Sequence, residues 1–314
     1  MTTPTVLVAT WDNGLFVLTD RGVHHELPGQ SVRGLVSDGR GDALAILRNA
    51  SLYRRARDGE WTAVAEGEFD LACCVALGST IYAGTNDAQV LRVREGATFE
   101  RLSAFEEAPG RCEWYAGTAV VDGRVVGPPL GVRSMTATCD HAAILVNVHV
   151  GGIPRSHDGG ATWQPTIDID CDVHQVCAHP TRPMVVAAAA AVGLCLSRDG
   201  GLTWNCEQQG LHAPYCSAVA FAGDDVLVSA SVDPFVSQGA VYRRSLEASE
   251  PMLPVGGGLP RWTDGRVDTS NIAASGSAIA VADQSGNLYL SVDAGRAWTR
   301  VADHLATPSS VFVY

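Results

Sequence analysis

Short apolar segments, and segments that alternate apolar with polar residues, recur along the whole chain between turns rich in Gly, Asn and Asp. This length and period predict β-strands, because successive side chains of a strand point to opposite faces of a sheet. The predicted strands fall into groups of four: an apolar strand, an alternating strand, a third strand and, after a polar turn, a last strand. Six complete groups occupy residues 31–65, 70–102, 132–165, 172–208, 215–255 and 268–302.

The two ends of the chain each hold part of a further group. Residues 5–27 supply three strands, and residues 309–314 supply one more. Together they complete a seventh group, which predicts that the two termini pair in one sheet and close a ring. Residues 103–131 are too long for a plain connection between groups. We expect residues 1–314 to form one domain in which this insertion is a lid or a side hairpin.

An octapeptide recurs at the turn before the last strand of several groups. Residues 156–163 read Ser-His-Asp-Gly-Gly-Ala-Thr-Trp, and related copies stand at 197–204, at 291–298 and, in decayed form, at 57–62. The pattern resembles the Asp-box, or BNR repeat, of sialidase-like, sortilin-like and photosystem-assembly-factor-like propellers. The resemblance implies an all-β, seven-bladed β-propeller of four-stranded antiparallel blades. Asp158, Asp199 and Asp293 are then turn-forming residues, whose side chains bond nearby backbone N–H groups.

The chain of 314 residues carries a net charge of −12, and all 22 basic residues are arginine. The acidic balance argues against nucleic acid or an anionic membrane as the main partner, because both are bound by clustered basic residues. The lack of lysine excludes Schiff-base chemistry on a side chain of this protein. We expect a small-molecule ligand, and a protein that is a monomer or a weak homo-oligomer.

The cysteines and the hydrophobic segments indicate in which cellular compartment the protein is located. No apolar run is long enough for a transmembrane helix, and the N-terminal segment lacks the pattern of a secretory signal. Nine cysteines are scattered without paired spacings, which is typical of reduced, mostly buried thiols. The sequence therefore predicts a cytoplasmic protein with reduced cysteines.

In the propeller that the resemblance implies, two kinds of loop open on one face: the connectors between blades, and the loops between second and third strands. Arg33, Arg133 and His174 stand near the start of three first strands and are expected at the channel mouth on that face. The loops are expected to add Trp11, Asp12, Arg48, Asp87, His149 and Asp283, and the connectors to add Asp168, Asp170, Asp172, His212 and Tyr215.

The densest predicted group joins His149, His174, His212 and Tyr215 to the three connector aspartates. Three imidazoles from adjacent blades can bind a divalent transition metal and leave one position open for water or substrate. A histidine beside a carboxylate can instead be a general base. In a third interpretation each histidine only bonds a backbone carbonyl and bridges two blades. These alternatives leave the cofactor open.

Arg33, Arg133 and Arg48 are expected to bind an anionic substrate, since a guanidinium matches a carboxylate in a fork. The predicted substrate-binding set also includes Trp11, Asp12, Asp87 and Asp283.

The sialidase Arg-Ile-Pro signature and Tyr–Glu nucleophile pair are not matched here, so the resemblance carries over the fold and not the sialidase residues. The first hypothesis is a hydrolase or lyase that acts on an anionic small substrate, with or without a metal. The second hypothesis is a non-catalytic propeller that binds a glycan, a peptide or a protein partner.

Overall fold

The structure is a computed structural model that describes residues 4–94, 98–117, 119–121, 124–126 and 130–314. Seven antiparallel sheets of four strands stand in a ring, which confirms the predicted seven-bladed β-propeller. We number blades 1 to 6 in chain order, and blade 7 is built from both termini. Blade 7 contains β1 (Val6–Thr10), β2 (Leu15–Thr19), β3 (Gly22–Glu26) and β31 (Pro308–Val313).

The other six blades each use one continuous segment of chain. Blade 1 contains β4 (Val32–Ser37), β5 (Ala43–Leu47), β6 (Ser51–Arg55) and β7 (Trp61–Glu66). Blade 2 contains β8 (Leu71–Leu77), β9 (Thr80–Thr85), β10 (Val90–Arg94) and β11 (Glu100–Arg101). Blade 3 contains β14 (Val132–Ala137), β15 (Ile144–Val148), β16 (Pro154–Ser156) and β17 (Gln164–Pro165). Blade 4 contains β18 (Val173–Ala178), β19 (Val186–Ala190), β20 (Gly193–Ser197) and β21 (Asn205–Glu207).

Blade 5 contains β22 (Tyr215–Ala222), β23 (Asp225–Ser231), β24 (Gln238–Ser245) and β25 (Leu253–Pro254). A short strand β26 (Thr263–Asp264) in the following connector also pairs with β24. Blade 6 contains β27 (Ile272–Ser275), β28 (Ala278–Ala282), β29 (Leu288–Ser291) and β30 (Thr299–Ala302).

The position of a strand in its blade follows from its residues. The second strands of blades 1, 3, 4, 6 and 7 are buried at every residue, because a neighbouring blade covers each face. They are accordingly almost continuous apolar runs such as Ala43–Leu47. The outermost strands, such as β3, are largely exposed and polar. Among the described residues, seven apolar clusters fill the seven gaps between adjacent blades.

The last strand of the chain closes the ring. β31 is the innermost strand of blade 7 and pairs antiparallel with β1, with Val6 opposite Val313 and Val8 opposite Val311. β31 also reaches blade 1, because Ser309 Oγ donates to the Val32 carbonyl at 2.5 Å. The predicted pairing of the two termini in one blade is confirmed.

Side chains from neighbouring blades occupy the free edges of the innermost strands. Ser134 Oγ accepts a hydrogen bond from Val176 N at 2.9 Å, and Ser310 Oγ accepts one from Leu35 N at 3.1 Å. Gln175 Oε1 accepts from the backbone N–H groups of both Val219 and Ser270, at 3.1 and 2.9 Å. These bonds satisfy strand-edge groups that would otherwise be buried without a partner. They also tie blades 4, 5 and 6 together at the channel.

The recurring octapeptides form tight turns. Asp158 accepts hydrogen bonds from the backbone N–H and hydroxyl of Thr162, at 2.9 and 2.6 Å, and these bonds lower the pKa of the carboxyl to about 2. Asp199 makes the same two bonds to Thr203, and Asp293 accepts from the backbone of Ala297. Each carboxylate is thus engaged within its own turn. Trp163 of the first octapeptide is buried in the cluster between blades 2 and 3.

The insertion at 103–131 contains a helix α1 (Ser103–Glu106), a 3-10 turn (Arg111–Glu113) and a hairpin of β12 (Ala119–Val121) with β13 (Arg124–Val126). Phe105 lies 5.0 Å from the ring of Trp163 and 5.6 Å from that of Trp114, so the first half of the insertion is anchored in the core. Residues 118, 122–123 and 127–129 of the predicted insertion lie outside the described residues.

The prediction that all cysteines are reduced is wrong for one pair. Cys195 and Cys206 face each other on β20 and β21 and form a disulfide across the octapeptide-bearing hairpin of blade 4. Scattered spacing did not reveal the pair, because the two residues become neighbours only through strand register. None of the helices in the described part of the chain has the length and apolar character needed to cross a bilayer.

Deleting residues 309–314 should destabilise the whole protein. The deletion removes the innermost strand of blade 7 and exposes the apolar edge of β1, so we expect a loss of about 3 kcal/mol or more in the free energy of unfolding. Denaturant unfolding measures this change. Val23→Ala is the control, because Val23 lies in the same blade but is 50% exposed, and it should change stability by less than about 0.5 kcal/mol. An unchanged unfolding midpoint for the deletion would contradict the proposed closure.

Candidate functional site

A cavity of about 100 Å³ opens at one end of the channel. The residues that line it come from the starts of first strands, from connectors and from loops between second and third strands. They include Trp11, Arg33, Asn86, Arg133, Thr269 and Asn271. Three predicted site residues, Trp11, Arg33 and Arg133, therefore lie together at this mouth.

Arg33 is held in place beneath Trp11. Its Nη2 donates to Asp70 Oδ1 at 3.0 Å, and its guanidinium lies 5.7 Å from the Trp11 ring. Burial lowers the pKa of Arg33, the ion pair with Asp70 opposes this change, and Arg133 adds a smaller lowering. The two guanidinium groups are thus close enough to repel each other, as they would around an anion.

Arg133 differs from Arg33 in its partners. Within the part of the chain that the structure describes, it makes no hydrogen bond and no ion pair, although it lines the cavity. Its charge nevertheless contributes to lowering the pKa of Asp172. A guanidinium without a fixed counterion at a partly buried position favours a negatively charged ligand.

Asp172 lies at the centre of the catalytic candidates. It ends a 3-10 turn (Ile169–Cys171) in the left-handed conformation, with φ of 48°, which Asp tolerates better than most residues. Its Oδ1 lies 3.6 Å from His149 Nε2, and its Oδ2 lies 3.6 Å from His174 Nε2. Burial acts to raise the pKa of Asp172, but His174, His149 and Arg133 outweigh it and lower the pKa below its usual value.

The backbone fixes which nitrogen of each imidazole carries a proton. His174 Nδ1 lies 2.5 Å from the carbonyl of Cys216, so Nδ1 must be the donor, and Nε2 is the atom that faces Asp172. His149 Nδ1 accepts from Gly117 N–H at 3.3 Å, so its proton is on Nε2, which points at Asp172. The Nε2–H of His149 therefore faces Asp172 Oδ1 across 3.6 Å, a separation longer than a direct hydrogen bond.

Tyr215 completes this group. Its ring lies 4.4 Å from that of His174. Burial, together with the charge of Asp172, raises the pKa of Tyr215 to about 12. The phenol is therefore protonated at neutral pH and can act as a proton donor.

Some buried polar atoms of the mouth and of the neighbouring Asp172 group lack a hydrogen-bond partner within the described residues. Buried polar atoms in folded proteins nearly always have a hydrogen-bond partner. Among the described side chains, buried atoms without one include Arg33 Nε, Asp172 Oδ1, His174 Nε2 and Asn271 Oδ1. A polar ligand or ordered water at the mouth would satisfy these atoms.

His212 does not join His149 and His174. Its Nδ1 lies 2.8 Å from the hydroxyl of Tyr242, and its ring packs edge-on against Trp262 at 4.8 Å. Among the described residues, no group of three or more His, Cys, Asp or Glu side chains is placed to hold a metal ion. The predicted three-histidine metal site is therefore not formed, because the connector directs His212 towards blade 5.

Four other predicted binding residues do not line the mouth cavity. Asp283 is fully buried and accepts hydrogen bonds from Asn287 and from the backbone of Asp264, which is a structural role. Asp87 accepts from the hydroxyl of Thr85 in its own turn. Asp12 and Arg48 are exposed on their loops.

The sequence pattern places Asp168, Asp170 and Asp172 in one connector and does not show which of the three faces the histidines. Asp168 Oδ1 instead accepts from Asp170 N and begins the 3-10 turn that presents Asp172. The spacing Asp-x-His of Asp172 and His174 was the available signal, since it places a carboxylate at the start of a first strand. Only its alignment with other polar residues at the starts of first strands indicates that Asn271 lies at the mouth.

Comparisons with known proteins identify the fold. No protein-family model and no curated protein matches the chain. Over its full length the chain is similar in structure to a putative 6-phosphogluconolactonase from Bacteroides uniformis, with a TM-score of 0.64, 12% identity and 100% of that chain covered. It also resembles an ancestral GH74 enzyme, with a TM-score of 0.62 and 13% identity, over 100% of this chain and 40% of that one.

A GH74 xyloglucanase from Xanthomonas campestris gives a TM-score of 0.59 at 17% identity, over 95% of this chain and 47% of that one. The chain thus spans less than half the length of these two GH74 proteins. At such low identities the comparisons establish the propeller fold alone.

Gly117→Ala should disturb the position of His149. A Cβ at Gly117 would lie 2.3 Å from His149 Cε1, so the loop or the imidazole must move, and we expect a stability loss of about 1–3 kcal/mol. Gly256→Ala is the matched control, since a Cβ there meets nothing within 4 Å. Urea unfolding and the NMR chemical shifts of the His149 ring report the effect. Wild-type stability and unchanged shifts in Gly117→Ala would show that Gly117 does not hold this ring.

Asp172→Asn should make stability less dependent on pH. Because the folded protein lowers the pKa of Asp172, the ionised form adds stability above the ordinary value of about 4, and this contribution is lost as pH falls through the folded pKa. Asn tolerates the left-handed backbone equally well, so the change removes mainly charge. Unfolding midpoints should differ from wild type at pH 7 and approach each other as the pH falls below 4. A difference of equal size at both pH values, or an equal effect of Asp12→Asn, would contradict this account.

Proposed function

We propose that the channel mouth binds a small anionic molecule and that the protein is a hydrolase or lyase that uses general acid–base chemistry. The observation that carries this proposal is Arg133, a guanidinium in the cavity wall that has no ion pair within the described residues. Its charge acts on the same carboxylate that two imidazoles flank.

Anion binding follows from the two arginines. A guanidinium presents a rigid fork of donors to a carboxylate or phosphate, and it stays charged at any physiological pH. Arg33 is paired with Asp70, whereas Arg133 is a positive charge in the cavity wall without an ion pair among the described residues, and the two guanidinium groups repel each other. An anionic ligand would relieve this repulsion and give Arg33 Nε a partner.

Acid–base chemistry follows from Asp172 and Tyr215. Asp172 is ionised at neutral pH and is therefore a base that can accept a proton from water or from substrate. Tyr215 keeps its proton at neutral pH, because its pKa is raised to about 12, and it therefore serves as a hydrogen-bond donor to a leaving group. His149 and His174 flank Asp172, with their Nε2 atoms 3.6 Å from its two oxygens. A base and an acid beside one anion subsite serve hydrolysis or elimination.

The fold neighbours support this class of reaction. The names of a lactonase and a xyloglucanase among them describe hydrolytic enzymes built on propellers. This support is general, because the same fold also serves unrelated functions.

One observation favours the alternative of a non-catalytic, glycan-binding propeller. Trp11 is 50% exposed at the rim of the cavity, and an exposed indole offers a flat surface to a sugar ring. Such a protein would bind its ligand without needing Asp172 or Tyr215. Loss of turnover with retained binding in Asp172→Asn therefore separates the two functions.

Arg133→Gln should weaken binding of small anions at least 10-fold, because it removes the unpaired charge from the cavity wall. Calorimetric titration with inorganic phosphate and with citrate measures binding. Arg300→Gln is the matched control, since Arg300 is exposed on the outermost strand of blade 6 and should bind as wild type does.

A screen of lactones and aryl glycosides then tests turnover in wild type and in Asp172→Asn. Equal anion affinity in wild type and Arg133→Gln would overturn the binding proposal. Substrate turnover at the wild-type rate in Asp172→Asn would overturn the assigned chemistry.

A further inference from the structure

A second ordered group of side chains lies on the connectors beside the mouth, and we call it the Trp262 platform. It consists of His212, Arg261 and Trp262, held by the hydroxyl of the fully buried Tyr242. Arg261 Nη2 donates to this hydroxyl at 3.0 Å, and the backbone N–H of His212 donates to it at 3.1 Å. The hydroxyl proton is then donated to His212 Nδ1 at 2.8 Å. One buried phenol thus fixes two connectors at the surface.

The bonds to Tyr242 determine what the platform presents to solvent. Because His212 Nδ1 is an acceptor, the ring proton lies on Nε2. His212 is exposed, so this N–H can donate a hydrogen bond to a ligand. The Arg261 guanidinium lies 4.4 Å from the Trp262 ring and 5.2 Å from the Tyr242 ring. Among the described residues it has no carboxylate partner. The platform therefore combines a positive charge, an N–H donor and an indole.

Trp262 is 43% exposed although its neighbours hold it in one orientation. The His212 ring meets it edge-on at 4.8 Å, and Arg261 lies over the indole. An immobilised aromatic ring stacks on a ligand at low entropic cost, because its side chain is already ordered. The electron-rich ring face attracts groups that carry partial positive charge, such as the C–H groups along one face of a sugar.

The platform and the proposed site are carried by the same two connectors. The connector from β21 to β22 contains His212 and ends at Tyr215, whose ring packs on His174. The connector from β25 to β27 contains Trp262 and continues to Thr269, which lines the mouth cavity. Between them Arg266 donates to Asp268 at 2.8 Å, which keeps this connector ordered.

We infer that the Trp262 platform is a second subsite on the face of the mouth and that the ligand is an acidic oligosaccharide, with one unit at the cavity and a further unit on Trp262. This inference rests on the proposed anion site. The stacking surface matches a sugar ring, and Arg261 with His212 Nε2–H matches its carboxylate. The mouth cavity of about 100 Å³ has room for little more than the first unit.

Titration calorimetry with galacturonic acid and its linear trimer tests the inference on the full-length protein. The trimer should bind wild type at least 10-fold tighter than the monomer. Stacking of a ring on an aromatic side chain changes the affinity by about 10-fold or more. Trp262→Ala should abolish this advantage, and Trp262→Phe should keep most of it. Leu202→Ala, at an exposed residue of an octapeptide turn, is the matched control. Melting curves verify that each variant is folded.

The outcomes distinguish the subsite from the mouth. If Arg133→Gln weakens both ligands while Trp262→Ala leaves the trimer advantage intact, the platform inference is wrong and the anion site stands. If neither acid binds wild type, the platform inference is also wrong, and binding of phosphate and citrate decides the anion site separately. If neutral maltotriose binds as tightly as the acidic trimer, the assignment of an acidic ligand is overturned.

Discussion

The whole architecture depends on the pairing of β31 with β1. Six blades can each fold from one stretch of chain, but the seventh exists only when residues from both termini meet, with Val6 opposite Val313. This contact has no covalent support, so the ring is held by backbone hydrogen bonds and by apolar side chains between blades 6, 7 and 1. Closure leaves no sheet without neighbours, which is the usual solution to exposed edges in β-proteins.

Closure also explains why polar residues converge at one end of the channel. Once the ring is complete, the first strands of all blades run side by side, and the residues at their starts share one mouth. Arg33, Arg133 and His174 come from three such starts. The 3-10 turn before β18 then places Asp172 between two imidazoles. The electrostatics of the mouth are thus a product of ring geometry, assembled from residues far apart in sequence.

The sequence was sufficient for the fold because the signals for it are local and repeated. Strand period and turn residues recur in every blade, octapeptides recur in four of them, and each predicted group coincides with one sheet. The site was predicted only in part. Arg33, Arg133 and Trp11 were located correctly because their positions follow from strand starts and loop types. His212 was misplaced, since the path of a connector is not repeated between blades and depends on its bond to Tyr242. The Cys195–Cys206 pair depends likewise on strand register.

We propose that Arg133 binds an anion at the channel mouth and that Asp172 and Tyr215, on which its charge acts, carry out the chemistry there. A crystal structure of the protein grown or soaked with citrate tests it most directly. We expect density for a carboxylate within hydrogen-bond distance of the Arg133 guanidinium, with His174 Nδ1 still bonded to the Cys216 carbonyl. A mouth that holds only water at saturating citrate, or citrate bound on another face of the propeller, would contradict it.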